Sequence, residues 1–214
     1  MSATVNATLS ATATARDSLR AATDAVHTRL HGVPALQALA AGRLDHAGYV
    51  ALLHRLLGFH RAAEAALAEA PSLAPWGIDI AERRRAWLIE ADLLALGVRP
   101  APPRLAPELA PSLAPDPAPL PPLGTAARAL GCLYVTEGST LGGQQLARAL
   151  DGLLPPGEAG RRFLLGHGAR HGAMWRACCA ALEACGAGPA GRAEMLAAAV
   201  ETFAAFEAWV EALD

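Results

Sequence analysis

The most informative stretch of this chain is Tyr134-Val-Thr-Glu-Gly-Ser-Thr-Leu-Gly-Gly-Gln144. It lies between two apolar stretches of helical character and holds three glycines within six residues, Gly138, Gly142 and Gly143. Each glycine inside a helix costs about 0.5–1 kcal/mol relative to alanine, so three of them in an alanine-rich chain need a reason. One interpretation is a bent helix whose backbone approaches a flat ligand. The other is a turn, or close packing of helices through small residues.

The rest of the chain is typical of an all-α protein. Of its 214 residues, 52 are alanine, 53% are hydrophobic and only 5% are aromatic. Alanine is the best helix former, and no useful stretch alternates with the period of two that marks a strand. The length corresponds to a single domain, so we predict one multi-helix bundle.

Charge and cysteine content narrow the function classes. The net charge is −2, which argues against the basic face of a general nucleic-acid binder. No run of 18 apolar residues lacks charge or proline, so no membrane span is expected. The four cysteines form no CxxC motif, which favours reduced thiols and a cytoplasmic protein.

Capping residues and breakers predict the helices and their connections. The first helix should start at Asp17 or Ser18 and end near Gly32, and Asp45 should cap a long helix that runs to about Ala70. A further helix is expected over 80–96, ending before Gly97. Helix is then predicted over 126–137 and, after the glycine-rich segment, again to about 153. Two long helices over 159–184 and 189–213 should close the chain. Residues 1–15 are predicted to be a flexible tail before a helical domain over 16–214. Residues 100–122 hold ten of the 16 prolines and should form a surface loop.

His27 on the first helix is the second candidate for chemistry. Leu19, Val26 and Leu30 place the apolar stripe beside it, so it faces the edge of the interior. It could be a half-buried structural histidine. It could pair with His31 as a metal ligand, although no third ligand is evident nearby. It could also be an axial ligand of heme iron, with Arg20 two turns earlier placed to meet an anionic edge.

Other charged groups are expected on solvated helical faces. These are the run Arg83-Arg84-Arg85 and the pair His167 and His171. No Ser–His–Asp order and no paired carboxylates stand out, and the absence of Glu-x-x-His motifs argues against a di-iron bundle.

Taken together, these stretches resemble the biliverdin-producing heme (haem) oxygenase family. Leu19-Arg-Ala-Ala-Thr-Asp-Ala-Val-His27 is similar to the family's proximal-histidine helix, and Leu133-Tyr-Val-Thr-Glu-Gly-Ser-Thr-Leu-Gly-Gly143 to the bacterial form of its distal helix. Trp175-Arg176 and the closing helix with Phe203 also fit, so the resemblance covers roughly residues 16–213. The bacterial enzymes that supply biliverdin to bacteriophytochromes are the most similar subgroup.

The resemblance implies that heme lies between the first helix and a kinked distal helix, with His27 as the axial iron ligand. Heme would be both substrate and cofactor. With O2 and electrons from a donor such as ferredoxin, flavodoxin or a reductase, it would be cleaved to biliverdin, CO and iron. The residues that would bind heme are His27, Arg20, Thr23, Gly138, Gly142, Gly143, Arg176 and Phe203. Gly138, Ser139 and Gly142 would lie where the reaction takes place.

One departure from the family pattern concerns residue 139. Animal members carry an aspartate after the first distal glycine, whereas this chain has Ser139, which can donate and accept hydrogen bonds but carries no charge. This difference keeps open a non-enzymatic heme-binding or heme-sensing protein on the same fold. A second alternative is a helical-bundle protein of another enzyme class.

Overall fold

The computed structural model describes residues 13–100 and 118–211. The helices in chain order are α1 (Ala15–Leu30), α2 (Pro34–Ala40), α3 (His46–Glu69), α4 (Ala86–Ala95), α5 (Ala126–Gly138), α6 (Gly143–Ala149), α7 (Arg162–Leu165), α8 (His171–Cys185) and α9 (Pro189–Glu211). Short 3-10 turns occupy Ala74–Trp76, Ala81–Arg83 and Gly168–Arg170. Neither described range contains a strand, so the all-α prediction is confirmed.

Two predicted segments fall mainly outside the described residues. These are the N-terminal tail over 1–15 and the proline-rich loop over 100–122. At the end of that loop, Ala118 is buried in a small apolar cluster that also contains Trp209 and Val210. In the described part of the chain, no helix has the length and apolar character needed to cross a membrane.

Two helices in the first half of the molecule, α1 and α3, begin with polar caps. Thr14 caps α1, because its hydroxyl accepts a hydrogen bond from the Asp17 amide at 3.0 Å, so the helix starts slightly earlier than predicted. Asp45 caps α3 as predicted, and its carboxylate accepts from the Gly48 amide at 2.7 Å. Gly97, with φ +77°, follows the end of α4 as predicted.

The prediction of one helix over 80–96 is wrong, because α4 begins only at Ala86. A carboxylate oxygen of Glu64, on α3, accepts the amides of Arg85 at 2.6 Å and Ala86 at 2.7 Å. Glu64 therefore caps α4 from another helix. A local reading of the sequence contains no sign of that cap, since the two partners are 21 residues apart.

The prediction of one helix over 159–184 is also wrong. The chain forms the short α7 and then turns at Gly166 and Gly168, which have φ values of +64° and +56°, before α8 begins. The buried carboxylate of Asp92 starts α7 by accepting the amides of Arg162 at 2.8 Å and Phe163 at 2.9 Å.

Two large apolar clusters meet at the glycine-rich segment. The first packs α1, α5, α8 and α9 together and includes Leu19, Leu133, Leu182 and Met195. The second joins α2, α3, α4, α6 and α7. Because α5 belongs to the first cluster and α6 to the second, the chain between Gly138 and Gly143 crosses the junction of the two. That placement leaves this segment held by side chains rather than by a continuous helix.

Candidate functional site

The first helix presents His27 at the edge of the bundle. Its inner face is buried through Leu19, Thr23, Val26 and Leu30, whereas His27 itself is exposed. The imidazole lies edge-on to the ring of His31, with centroids 4.9 Å apart, and edge-on to Phe203 of α9 at 6.3 Å.

The surroundings of His27 favour the neutral form of its imidazole. Desolvation lowers its pKa below the usual value of 6.5, the neighbouring charge of His31 lowers it further, and Asp24 opposes the effect. A neutral imidazole is the form that binds a metal ion. Among the described residues, however, no group of three or more His, Cys, Asp or Glu side chains could hold a metal ion, so a His27–His31 metal centre has no third ligand there.

The glycine-rich segment is a break between two helices. The amide of Thr140 donates to the carbonyl of Glu137 at 3.1 Å, and the amide of Leu141 donates to that of Gly138 at 3.1 Å. In a regular α-helix the Thr140 amide would donate four residues back, to Thr136. The backbone therefore leaves α5 through tight turns before α6 begins, which is the turn between helices that the sequence offered as the alternative to a bent helix.

The three glycines of the break have different surroundings. A Cβ on Gly142 would meet nothing within 4 Å, and a Cβ on Gly138 would contact the ring of Trp175 at 3.7 Å. A Cβ on Gly143 would come within 2.0 Å of the carbonyl oxygen of Leu164. Gly143 is thus required by the packing of α6 on α7, which is the packing interpretation. Gly142 borders open space and Gly138 an aromatic side chain.

Helices α1 and α5 run in the same direction. Both start beside the beginning of α9, where the Ala13 carbonyl accepts from Arg192 and the Thr125 hydroxyl donates to Glu194. At equal distances from their starts, Thr23 of α1 and Tyr134 of α5 lie near each other, because Thr23 acts on the hydroxyl of Tyr134. The next turn of α1 carries His27, and the next turn of α5 carries Gly138.

The space beyond the Thr23–Tyr134 contact is the candidate site, which we call the cleft. His27 lies on the α1 side of this region, one turn past Thr23, residues 138–142 follow Tyr134 on the α5 side, and Phe203 of α9 lies beside His27. Leu141 is 57% exposed, an unusual position for a large apolar side chain. The exposed, neutral imidazole of His27 could ligate a metal that a bound molecule carries, and Gly142 leaves open space at the break.

Basic groups lie near the closed end of the cleft. Arg20 is exposed on α1, and its charge acts on Tyr134, as does that of Arg16. Burial nevertheless raises the pKa of Tyr134, so its hydroxyl keeps its proton. Arg176 is exposed on α8, next to Trp175, whose ring centroid is 6.1 Å from that of Tyr134.

Sequence reasoning missed a buried polar cluster behind the break. The prediction that Arg83-Arg84-Arg85 is a solvated face is right for Arg84 and wrong for its two neighbours. Arg83 forms a salt bridge with Glu137 at 3.0 Å, with side chains 7% and 2% exposed. Arg85 is 2% exposed. Three adjacent arginines in a chain without lysine carry no local sign of burial, because their acidic partners lie on other helices.

The histidines His167 and His171 also lie at the break rather than on a solvated face. The hydroxyl of Thr140 gives its hydrogen to the Glu137 carbonyl at 2.6 Å. A ring nitrogen of His171, 3.1 Å away, must therefore donate to the Thr140 hydroxyl. Desolvation, together with the charge of Arg85, lowers the pKa of His167 to about 4.

The fold and the site define an all-α bundle with an exposed imidazole on its first helix and a glycine-rich break after its fifth helix. Comparison with known proteins makes the class specific, since the family model for heme oxygenase matches residues 13–212. The chain belongs to the heme oxygenase family, and it is an enzyme of heme degradation to biliverdin.

Solved structures agree with this assignment. The NO- and CO-bound heme oxygenase from Neisseria meningitidis is 27% identical, with a TM-score of 0.72 over 94% of this chain and 92% of that one. Heme oxygenase-1 from the cyanobacterium Synechocystis, in complex with heme, shares the fold at 16% identity, with a TM-score of 0.68 over 94% and 93%. No curated protein sequence matches the chain.

Proposed function

We propose that heme binds in the cleft, with His27 as the axial ligand of its iron and the backbone at Gly138 and Gly142 against the opposite face. The observation that carries this proposal is the pairing of a neutral, exposed imidazole with the open space at Gly142. Bound heme supplies the iron centre that takes up O2 and is itself the molecule that is opened to biliverdin, CO and iron.

The protein's own residues orient the heme and shape the space around it. The edge of Phe203 limits rotation of the His27 ring. The hydroxyl of Thr23 donates a hydrogen bond to the Leu19 carbonyl at 2.8 Å, so its methyl group points away from that carbonyl. Glycine at 138 and 142 allows the backbone to approach the macrocycle, where any side chain would hold it away. The proposal leaves Gly143 out of the heme contacts, because its space is taken by Leu164.

Arg20 and Arg176 are proposed to hold the heme propionates. Both are exposed: the charge of Arg20 acts on Tyr134, and Arg176 follows Trp175, whose ring lies near that of Tyr134. Guanidinium groups bind carboxylates through two parallel hydrogen bonds, which restrict rotation as well as adding affinity. Their main effect would be to decide which meso carbon faces the reacting oxygen.

Electrons from an external donor such as ferredoxin, flavodoxin or a reductase, together with O2, complete the proposed reaction. The Glu137-Gly-Ser139 sequence supports a bacteriophytochrome as the acceptor of biliverdin. We also place the protein in the cytoplasm, where its four free thiols would stay reduced.

The test is a titration of the purified protein with hemin, followed by aerobic incubation with ascorbate or reduced ferredoxin. A Soret band should form in the titration and should then decay as biliverdin appears. His31→Ala is the matched control for His27→Ala, because the two rings are neighbours on one helix. A hemin spectrum that stays that of free hemin would refute heme binding. A Soret band that persists under turnover conditions would indicate a heme carrier instead.

A further inference from the structure

The break after α5 leaves one backbone carbonyl without its regular helical donor. Because the Thr140 amide turns to Glu137, the Thr136 carbonyl accepts from side chains instead. The Ser139 hydroxyl donates to it at 2.7 Å, and Nη2 of Arg85 forms a short hydrogen bond to it. The same Nη2 lies 3.2 Å from the Ser139 oxygen.

Residues of α3 and α7 hold Arg85 in place. Its amide is held by Glu64 at 2.6 Å, and its guanidinium lies over the ring of Phe163 at 5.0 Å from the centroid. Glu64 and Glu137 are the acidic groups whose charges act on it. Contacts with α3 and α7 therefore fix Arg85 at the point from which its side chain reaches the break.

The hydrogen-bonding of Ser139 restricts what this residue can do. A hydroxyl has one hydrogen, and Ser139 gives it to the Thr136 carbonyl. One of its lone pairs faces Arg85, so Ser139 retains acceptor capacity but no donor for a ligand in the cleft. Its role in this arrangement is to brace the break.

We propose that Arg85 is a positioning residue for heme oxidation: with Ser139 it replaces the missing amide at the Thr136 carbonyl, holds the break open, and so sets the distance from Gly138 to the heme. This inference rests on the proposed heme site. A continuous helix could not keep the break in place, because it would carry residues 140–142 away from the junction of the two apolar clusters. The buried guanidinium of Arg85 instead satisfies the Thr136 carbonyl where the helix stops.

The test compares Arg85→Met, Arg85→Lys and Ser139→Ala with Arg61→Met. The last variant is the matched control, because Arg61 also ties α3 to α4, through Glu90 at 2.8 Å. Hydrogen exchange of the heme-free protein is the first measurement. Peptides that cover 136–143 should exchange about tenfold faster in Arg85→Met, the factor expected when one hydrogen bond to a charged group is lost.

The second measurement is the biliverdin isomer formed by the heme complex. Arg85→Met should yield a broader isomer mixture, Arg85→Lys should restore most of the parent product, and Ser139→Ala should show a smaller shift in the same direction. Arg61→Met should match the parent protein in both measurements. If Arg85→Met does not fold, Arg85→Lys and Ser139→Ala still decide the matter, because neither removes a buried charge.

The outcomes separate the two proposals. Unchanged exchange over 136–143 in every Arg85 and Ser139 variant, or equal changes in Arg61→Met, would overturn the role of Arg85. Altered exchange with an unaltered isomer would also overturn it, since the break would then not position the heme. Failure of the parent protein to bind hemin would remove the heme site, while the exchange data would still report on the hydrogen bonds at Thr136.

Discussion

The adjacent glycines Gly142 and Gly143 should respond differently to alanine: Gly143→Ala should destabilise the protein, and Gly142→Ala should be close to neutral. Gly143→Ala would place a methyl group 2.0 Å from the Leu164 carbonyl oxygen, where real Cβ contacts stay beyond about 3.0 Å. Helices α6 and α7 would have to separate by about 1 Å, and overpacking of this kind costs about 1–3 kcal/mol. For a protein of this size the melting temperature should fall by about 2–12 °C.

Gly142→Ala faces no such collision. Its φ of −87° and ψ of −8° suit alanine, and nothing lies within 4 Å of the new Cβ. Reduced freedom of the unfolded chain contributes about 0.4–1 kcal/mol of stability. Loss of glycine at the N-cap of α6 offsets a similar amount. The net change should stay within about 1 kcal/mol, or about 4 °C in melting temperature.

Thermal unfolding of the heme-free variants, followed by far-UV circular dichroism, measures both effects. Hemin titration of Gly142→Leu then tests the cleft, because a leucine side chain projecting into the open space should weaken binding or slow biliverdin formation while the fold is kept. Equal destabilisation by the two alanine variants would refute the separation of roles. Parent rates in Gly142→Leu would refute close approach of the backbone to heme.

Three further predictions concern the walls of the cleft and a buried histidine. His27→Ala should fold but lose the parent Soret spectrum, and added imidazole should partly restore it; an unchanged spectrum would move the iron ligand elsewhere. Arg20→Ala and Arg176→Ala should change the biliverdin isomer mixture, measured by chromatography, more than hemin affinity, and identical products from both would exclude a propionate role. Burial holds the pKa of His60 well below 6.5, so the unfolded chain takes up a proton first as pH falls. Stability should therefore decline below about pH 6.5, and His60→Gln should flatten that decline in melting curves; an equally steep loss would assign it to other groups.

Local signals in the sequence were enough for the fold class and for the break after α5. Alanine content and the apolar stripe of α1 predicted helices, Asp45 and Gly97 marked real helix ends, and the glycines marked the real break. These succeed because capping, positive φ and helical periodicity depend on residues within a few positions of one another. The position of His27 at the edge of the apolar stripe was likewise readable from spacing alone.

Only the tertiary structure decided which polar groups are buried and what each glycine is for. Arg85 is buried because Glu64, 21 residues earlier, holds its amide and because the Thr136 carbonyl, 51 residues later, needs a donor. Gly143 is needed because Leu164 packs on it, whereas Gly142, its neighbour in sequence, borders open space. Such contacts join distant parts of the chain, and burial of a charge depends on where its partner lies in space. Local patterns thus predicted the helical class and the break, whereas the packing of two apolar clusters and contacts between distant residues set how the break is held.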